Sequence, residues 1–381
     1  MIWDFFSSKL LKICGVTILA FIIAQTAIVG FYSLEVIESK FDATDFQYSD
    51  AYNRIFYNPH KVSDHVVLVS TDNCSRQEIA ATIDSLEQAC PKVIGVDILF
   101  SNSECDFDTS VSHIAQYDNT VFAAMMNSTD FSTYLEKSFF CEHLPYSNIG
   151  VVNSDAESLT DVVRTFTFSF ASDSSQYWSF PVSVVNKAFP DLCKQFVHDA
   201  EKDKLNNKAI IYYQDVCFIE IPAGQIINSQ IPIDWKSTVK DKIVLVGNLH
   251  DTQDMFITPV DRHMNGTRIH AYSVETILSG KHIRRVSRVV DWIIGVVMCW
   301  LLLLFNSFLE KELPKTGSLV MRLIQIIGII MFLFLGCLCF RIGHFYIDFT
   351  PTILMFALSV FANDIWTGMS ALVNKLKSIQ R

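Results

Sequence analysis

Residues 65–100 read HVVLVSTDNCSRQEIAATIDSLEQACPKVIGVDILF. The two ends of this stretch, His65–Asp72 and Val93–Phe100, are short, apolar and rich in β-branched side chains, which is typical of buried strands. Between them, Ser75 and Glu78 form the S-x-x-E pattern of a helix capping box. A strand, a helix and a strand within 36 residues predict a right-handed βαβ unit with two parallel strands.

The same kind of patterning continues along the chain between residues 38 and 285. Further strands are expected at Thr120–Met126, Thr165–Phe170 and Lys242–Gly247, two more within Ala209–Pro222, and helices at Asp108–Gln116 and Arg268–Gly280. The sequence therefore predicts an α/β domain with a largely parallel central sheet. At about 250 residues, such a domain buries a full core without disulfides.

Four segments outside this domain are apolar and long enough to cross a bilayer, which takes about 20 residues. We expect them at residues 13–34, 289–309, 319–340 and 349–366. The first is favoured as an uncleaved anchor over a secretory signal peptide, because its apolar run exceeds the usual length of about 7–15 residues. A content of 50% hydrophobic residues and a mean hydropathy of +0.28 fit a soluble domain joined to membrane spans.

Basic residues predict which side of the membrane each part occupies. Lys9 and Lys12 precede the first span, and Lys375 and Lys377 follow the fourth, so the positive-inside rule places both termini in the cytoplasm. Three arginines at 284–288 oppose this topology. The expected arrangement is a multi-pass membrane protein with three parts outside its spans: a cytoplasmic N-terminus at 1–12, an extracytoplasmic domain at 38–285 within an outer segment 35–288, and a short cytoplasmic tail at 367–381.

Charge argues against one class of partner. Residues 35–288 contain 34 acidic and 21 basic residues, so the outer segment is acidic. Recognition of phosphates needs clustered Lys and Arg side chains. Binding of nucleic acid is therefore not expected.

The chain has ten cysteines. Six fall in the outer domain: Cys74, Cys90, Cys105, Cys141, Cys193 and Cys217. An oxidising compartment permits disulfides, and a Cys105–Cys141 pair is favoured because the two flank an excursion from the core, with other pairings left open. The sequence shows no CxxC motif and no Cys/His spacing of a metal site, so we expect no metal or cofactor.

Three carboxylates and one histidine are the candidate ligand-binding residues: Asp72, Asp97, Asp254 and His270. Asp72 closes the first strand and Asp97 follows in the second, and ligands of open α/β sheets bind beyond the carboxyl ends of strands. One hypothesis is a polar ligand or cation site shared with Asp254. The alternative is that these aspartates cap helices and hold loop N–H groups.

Catalysis is not supported by any motif. His270 needs a nucleophile and an orienting acid within reach before it can act in catalysis, so a structural role is the alternative. The chain contains neither G-x-S-x-G nor H-E-x-x-H, and its lone Gly247 after an apolar strand is interpreted as a turn residue. We therefore expect no enzymatic activity and no catalytic residues.

The order of these features resembles the CHASE2 domain, an extracytoplasmic sensory module of bacterial transmembrane receptors. The resemblance covers about residues 40–285 and extends to the layout of one anchor and three later spans. It is carried by GVDILF, KIVLVG, the D-x-F-x-T-P pattern of Asp254, Phe256, Thr258 and Pro259, and the G-x-x-I-H-A pattern of Gly266, Ile269, His270 and Ala271. It implies a protein of the bacterial inner membrane that senses an extracytoplasmic ligand.

The chain departs from the family at two points. After the first strand, TDNCS keeps only Asp72, where the family tends to have paired acids. The chain also ends about 15 residues after the last span, where such receptors usually carry a kinase or cyclase, a tail too short to fold as a domain. The resemblance together with this short tail predicts a sensor that relays its signal to a separate cytoplasmic partner.

Other functions stay open at this stage. An accessory or structural subunit, whose outer domain binds another protein, is the main alternative. Transport is disfavoured because the charged residues of the spans lie near their ends. A homodimer is possible, although no G-x-x-x-G motif supports one; Gly328 and Gly336 in the third span suggest a close helix contact.

Overall fold

A computed structural model describes the chain with short gaps. The described residues are 2–38, 48–55, 57–100, 109–128, 132–141, 144–154, 162–172, 175–202, 207–213, 216–228, 234–281, 283–313 and 316–379. The chain forms two compact units: Ser49–Arg284, here called the outer domain, and Met1–Tyr48 with Arg285–Arg381, here called the helical unit.

The described strands are short, and most belong to the outer domain. They are β1 (Lys61–Ser70), β2 (Val93–Asp97), β3 (Thr120–Ser128), β4 (Thr133–Lys137), β5 (Ile149–Val151), β6 (Thr165–Thr167), β7 (Ser169–Ala171), β8 (Gln176–Trp178), β9 (Lys208–Ile210), β10 (Val216–Pro222), β11 (Ile243–Gly247), β12 (Met255–Phe256), β13 (Met264–Asn265), β14 (Arg284–Arg285) and β15 (Phe345–Tyr346).

The helices fall into short ones of the outer domain and long ones of the helical unit. They are α1 (Ile2–Glu38), α2 (Tyr48–Ile55), α3 (Arg76–Gln88), α4 (Thr109–Ser112), α5 (Phe180–Ala188), α6 (Pro190–Lys202), α7 (Ala223–Ile227), α8 (Trp235–Val239), α9 (Gly266–Leu278), α10 (Arg288–Glu312), α11 (Gly317–Arg341) and α12 (Thr350–Ile379), with 3-10 turns at His113–Gln116, Phe139–Cys141 and Tyr146–Asn148.

A sheet of seven described strands forms the centre of the outer domain. Its order is β10-β1-β11-β2-β3-β4, and β5 also pairs with β3. Every pairing is parallel except that of β3 with β4. The predicted α/β class with a largely parallel sheet is confirmed. One detail differs from the simplest βαβ unit: β11 lies between β1 and β2, which are parallel but not neighbours.

Alternation along the central strands divides the core into two layers. Val67 and Val69 of β1 face the layer that holds α3, whereas Val66 and Leu68 face the layer that holds α5, α6 and α9. Such strands, apolar on both faces, are typical of a parallel sheet covered by helices on each side. The predicted capping box is present at the start of α3, with reciprocal hydrogen bonds between Ser75 and Glu78.

The predicted strand at Thr165–Phe170 is divided in two. Its first half, β6, pairs with β9, and β7 pairs with β8. The break falls at Phe168, whose ring is buried against that of Phe166 with centroids 5.7 Å apart. Residues two apart lie on the same face of a strand, so the division reflects the change of partner strand, from β9 to β8.

Among its described residues, the helical unit contains four helices that are long and apolar enough to cross a membrane. Its candidate spans are Lys9–Ala27, Arg288–Leu309, Gly317–Arg341 and Thr350–Ile379. Glycine allows close packing between α11 and α12, because a Cβ atom at Gly328 would lie 2.5 Å from the Phe356 ring. Gln325 also donates from Nε2 to the Phe356 carbonyl oxygen at 2.9 Å. The close contact suggested by Gly328 is therefore present.

Candidate functional site

A cavity of about 320 Å³ lies within the outer domain, beyond the carboxyl ends of β2 and β5. This is the edge of the sheet where ligands of open α/β folds bind. Its walls combine apolar, hydroxyl and carboxyl side chains. The lining residues that carry the later argument are Asp97, Phe166, Ser179, Asp254, Phe256 and His270. Three of the four candidate residues from the sequence thus share one cavity.

Asp97 is the last residue of β2 and is held by the first turn of α9. Its Oδ2 accepts a hydrogen bond from the Thr267 hydroxyl at 2.7 Å. The neighbouring strand brings the helix close, because Gly247 of β11 is paired in register with Asp97. A Cβ atom at Gly247 would lie 2.4 Å from Thr267 Oγ1. Gly247 ends a strand and admits this helix, so its interpretation as a turn residue was wrong.

Replacing Gly247 with Ala is expected to destabilise the protein by about 1–3 kcal/mol, because the added methyl group overlaps Thr267. The measurement is the melting temperature of the full chain. Gly224→Ala is the matched control, since a Cβ atom at that helical position meets nothing within 4 Å. Adding Thr267→Ala should recover part of the loss; no recovery would exclude overlap with Thr267 as the cause.

Asp254 meets the other side of the same helix start. Its Oδ2 accepts from the backbone N–H of Gly266 at 3.1 Å and from Nδ2 of Asn265 at 3.2 Å. Burial, together with the nearby Asp97 and Asp251, raises the pKa of Asp254 to about 7, although the two hydrogen bonds oppose the rise. The site therefore holds a carboxyl group that titrates near neutral pH.

His270 lies one turn further along α9 and keeps a partly exposed edge toward the cavity. Its ring packs on Phe180, with centroids 5.2 Å apart. Burial lowers the pKa of His270 below 6.5, although Asp97 opposes this. The histidine is thus neutral at physiological pH, and it lines the cavity together with Asp97 and Asp254.

Ser179 supplies a buried hydroxyl group to the cavity wall. It is 3% exposed, and its Oγ has no hydrogen-bond partner among the residues that the structure describes. Ser179 precedes α5 but its side chain makes no capping bond. A buried hydroxyl without a partner costs roughly 1–3 kcal/mol, which a ligand with a suitable polar group would offset.

Asp72 does not line this cavity. Its carboxylate accepts from His250, at 3.0 Å from the backbone N–H and at 2.5 Å from Nδ1, and from the Ser70 hydroxyl. Burial opposes ionisation, but these hydrogen bonds outweigh it and hold the pKa of Asp72 below 3.8. The N-cap of α3 is Ser75, so Asp72 holds a loop N–H and does not cap that helix. A role in ligand binding stays a prediction for Asp72.

No disulfide joins two of the cysteines that the structure describes in the outer domain, which are Cys74, Cys90, Cys141, Cys193 and Cys217. Burial raises the pKa of Cys141 and of Cys193 to about 12, so both are unreactive. Cys105 lies outside the described residues, and the Cys105–Cys141 pair stays a prediction.

Sequence patterns did not identify the aromatic and hydroxyl walls of the cavity. Phe166, Phe256 and Ser179 come from three separate segments, and each has the composition of ordinary core or cap residues. Only Phe256 belonged to a quoted pattern, D-x-F-x-T-P, in which it stands two residues after Asp254. That spacing was the one available signal.

Comparison with known proteins assigns the family. A family model described as the CHASE2 domain matches residues 23–309, from within α1 to within α10. This chain belongs to the CHASE2 domain family. CHASE2 is a family of extracytoplasmic sensory domains, and the four apolar helices indicate a membrane protein. No curated protein and no solved structure matches the chain. In this CHASE2 domain, residues of the two patterns that contain Asp254 and His270 line the same cavity.

Proposed function

We propose that this membrane protein senses an extracytoplasmic small molecule in the cavity and relays the signal through its helices to a separate cytoplasmic protein. The observation that carries the proposal is a partly polar cavity at the carboxyl edge of the sheet in a CHASE2 domain. The proposed topology places residues 35–288 outside the inner membrane and both termini in the cytoplasm. Binding, without a chemical step, is the role assigned to the cavity.

Helix α9 supports a route from the cavity toward the membrane. Four of its residues line the cavity: Gly266, Ile269, His270 and Ser273. Along the chain, nine residues separate the end of α9 at Leu278 from the start of α10 at Arg288. A ligand that favours one position of α9 acts on an element joined by a short segment to the second span.

The end of α12 supports a cytoplasmic docking surface. The helix has 30 residues and is therefore about 45 Å long. The hydrocarbon core of a bilayer is only about 30 Å thick, so roughly ten residues extend beyond it. These residues carry an apolar stripe at helical spacing, defined here as the tail stripe, in which every member is exposed: Met369, Leu372, Val373, Leu376 and Ile379. Such a stripe is typical of a helix that docks against another protein.

The experiment places two glutamates on the tail stripe of the full chain in its native membrane. Leu372→Glu with Leu376→Glu is expected to reduce recovery of cytoplasmic partners at least tenfold after cross-linking, because charge is introduced into an apolar contact. Recovery is measured by quantitative mass spectrometry with and without stimulus.

The matched control places the same two charges, four residues apart, on the opposite face of the helix. Asn374→Glu with Ser378→Glu should leave recovery unchanged. If both double variants recover the same partners in equal amounts, the tail stripe is not the docking surface and the proposed relay is wrong.

The alternative function, an accessory subunit whose outer domain binds another protein, is favoured by a separate observation. Among the described residues of the outer domain, three large aromatic side chains on or near β4 and β8 are exposed: Tyr134, Tyr146 and Trp178. Tyr and Trp are enriched at protein interfaces. Loss of a bound protein from Trp178→Ala, with no effect of Leu372→Glu and Leu376→Glu, would favour this function over sensing.

A further inference from the structure

The charge of the cavity wall indicates which ligands it accepts. Asp97 and Asp254 both contribute carboxyl groups, and both contact the first turn of α9. Lys and Arg are absent from the described residues of the lining. Arg268, the basic residue nearest in sequence on α9, pairs with Glu220 at 2.6 Å. The described lining therefore offers no basic side chain to an anionic ligand, while it presents two carboxyl groups to a cation.

The remaining walls match an apolar body beside that charge. Phe166 and Phe256 add aromatic rings, and Val163 and Ile269 add aliphatic surface. Aromatic faces attract ammonium groups through their quadrupole, most strongly when water is excluded. The buried Ser179 hydroxyl, which lacks a partner among the described residues, offers one further polar contact.

A bare metal ion fits this cavity poorly. Among the described residues no group of three or more His, Cys, Asp and Glu side chains is placed to hold a metal. Hard cations need six or more oxygen ligands, and softer metals need clustered nitrogen or sulfur. Two carboxyl groups beside aromatic and aliphatic walls suit an organic cation better. At about 320 Å³, the cavity is near the lower end of the range for small-molecule sites.

We propose that the cavity binds a small organic cation, a protonated or quaternary amine with an apolar body, whose positive group lies between Asp97 and Asp254. This assignment rests on the proposed sensing function and adds the chemical class of its stimulus. The apolar body contacts Phe166 and Phe256, and a donor or acceptor on the ligand reaches Ser179.

The test is calorimetric titration of the full chain in nanodiscs of phosphatidylcholine, which carries no net charge and does not attract cations to the lipid. The probes are butylammonium and tetramethylammonium, with 1-butanol and butyrate as the neutral and anionic matches. We expect both cations to bind at pH 8, butylammonium at least tenfold more tightly than 1-butanol, and butyrate not to bind.

Variants locate the binding site. Asp97→Asn and Asp254→Asn should each weaken binding of butylammonium at least tenfold. Each substitution keeps the shape of the side chain but removes the negative charge that pairs with the ammonium group. Asp84→Asn is the matched control. Asp84 lies on α3, pairs with His113 and does not line the cavity. Phe166→Leu keeps every charge and should weaken tetramethylammonium severalfold, which tests the site even if an aspartate variant fails to fold.

Either of two results overturns the inference: 1-butanol or butyrate binds as tightly as butylammonium, or neither cation binds the folded chain. If neither cation binds but recovery of partners still depends on the tail stripe, the proposed ligand class is wrong and the proposed sensing function stands. If the cations bind but recovery of partners does not depend on the tail stripe, the proposed relay is wrong and the proposed ligand class stands.

Discussion

Replacing Arg164 with Ala is expected to lower the free energy of unfolding by about 3–5 kcal/mol, the typical cost of breaking a buried ion pair. Arg164 donates to Asp50 in a bidentate pair, with Nε to Oδ1 and Nη2 to Oδ2 both at 2.7 Å. Each side chain is only 11% exposed. The substitution leaves a buried carboxylate without this guanidinium group, which is why the loss exceeds that of an ordinary surface pair.

The same substitution is expected to weaken ligand binding, because the neighbours of Arg164 form part of the cavity. Val163 and Thr165 both line it, and Tyr213 holds the Val163 carbonyl oxygen at 2.8 Å. Asp50 fastens this segment to α2. The measurements are the melting temperature of the full chain and the affinity for butylammonium.

An exposed ion pair supplies the control. Lys61 and Asp64 pair at 3.0 Å, but their side chains are 68% and 70% exposed. Lys61→Ala should leave the melting temperature unchanged, because water screens such pairs. A double-mutant cycle with Asp50→Asn then isolates the coupling of Arg164 to Asp50. Equal losses for Arg164→Ala and Lys61→Ala would contradict the prediction.

Local patterns predicted the elements whose ends carry their own signals. The S-x-x-E pattern at Ser75 marks the start of α3, and β11 is the unbroken apolar run inside Lys242–Gly247. Gly280, with φ of +61°, follows the end of α9 and adopts the conformation that glycine favours at a helix end. In these cases the signal and the structure it specifies lie within a few residues of each other.

Pairings between distant segments were not predictable in this way. Since β11 enters between β1 and β2, the ends of those strands are separated by two strand spacings, about 10 Å. Asp72 therefore contacts His250, and Asp97 shares a cavity with Asp254. The three-residue β5, whose end at Val151 lines the cavity, is too short to show a period. Its position depends on pairing with β3, which no local pattern encodes.

Replacing Asp254 with Asn is expected to stabilise the folded protein at pH 8. The pKa of Asp254 is raised by burial and by Asp97 and Asp251, from 3.8 to about 7. A folded-state pKa above the unfolded one means that the native protein holds its proton more tightly, so stability falls as pH rises from about 4 to about 7. The full difference between the folded and unfolded pKa values corresponds to about 4 kcal/mol of stability. Because Asp254 contacts the open cavity, we expect the loss of stability to be about 2 kcal/mol.

The difference in stability between the variant and the wild type isolates the titration of Asp254 from that of its neighbours. His270, the other titratable group on this side of α9, has its pKa lowered below 6.5 and contributes equally to both proteins. The melting temperature of Asp254→Asn should equal that of the wild type near pH 4 and should be higher than that of the wild type at pH 8. Asp72→Asn is the control of opposite sign, because the pKa of Asp72 is lowered. That variant should lose stability at neutral pH, and the loss should shrink as the pH falls below about 4.

A bound cation should reverse the penalty at Asp254. Its charge favours the ionised carboxyl group, so butylammonium should raise the melting temperature of the wild type more at pH 8 than at pH 5, and should have little effect on Asp254→Asn. If Asp254→Asn is less stable than the wild type at every pH, the hydrogen bonds to Asn265 and Gly266 outweigh the burial of charge. Asp254 would then act chiefly as a cap for α9. A stabilised variant that no longer binds the amine would mean that the domain keeps a costly carboxylate at this position because ligand binding requires it.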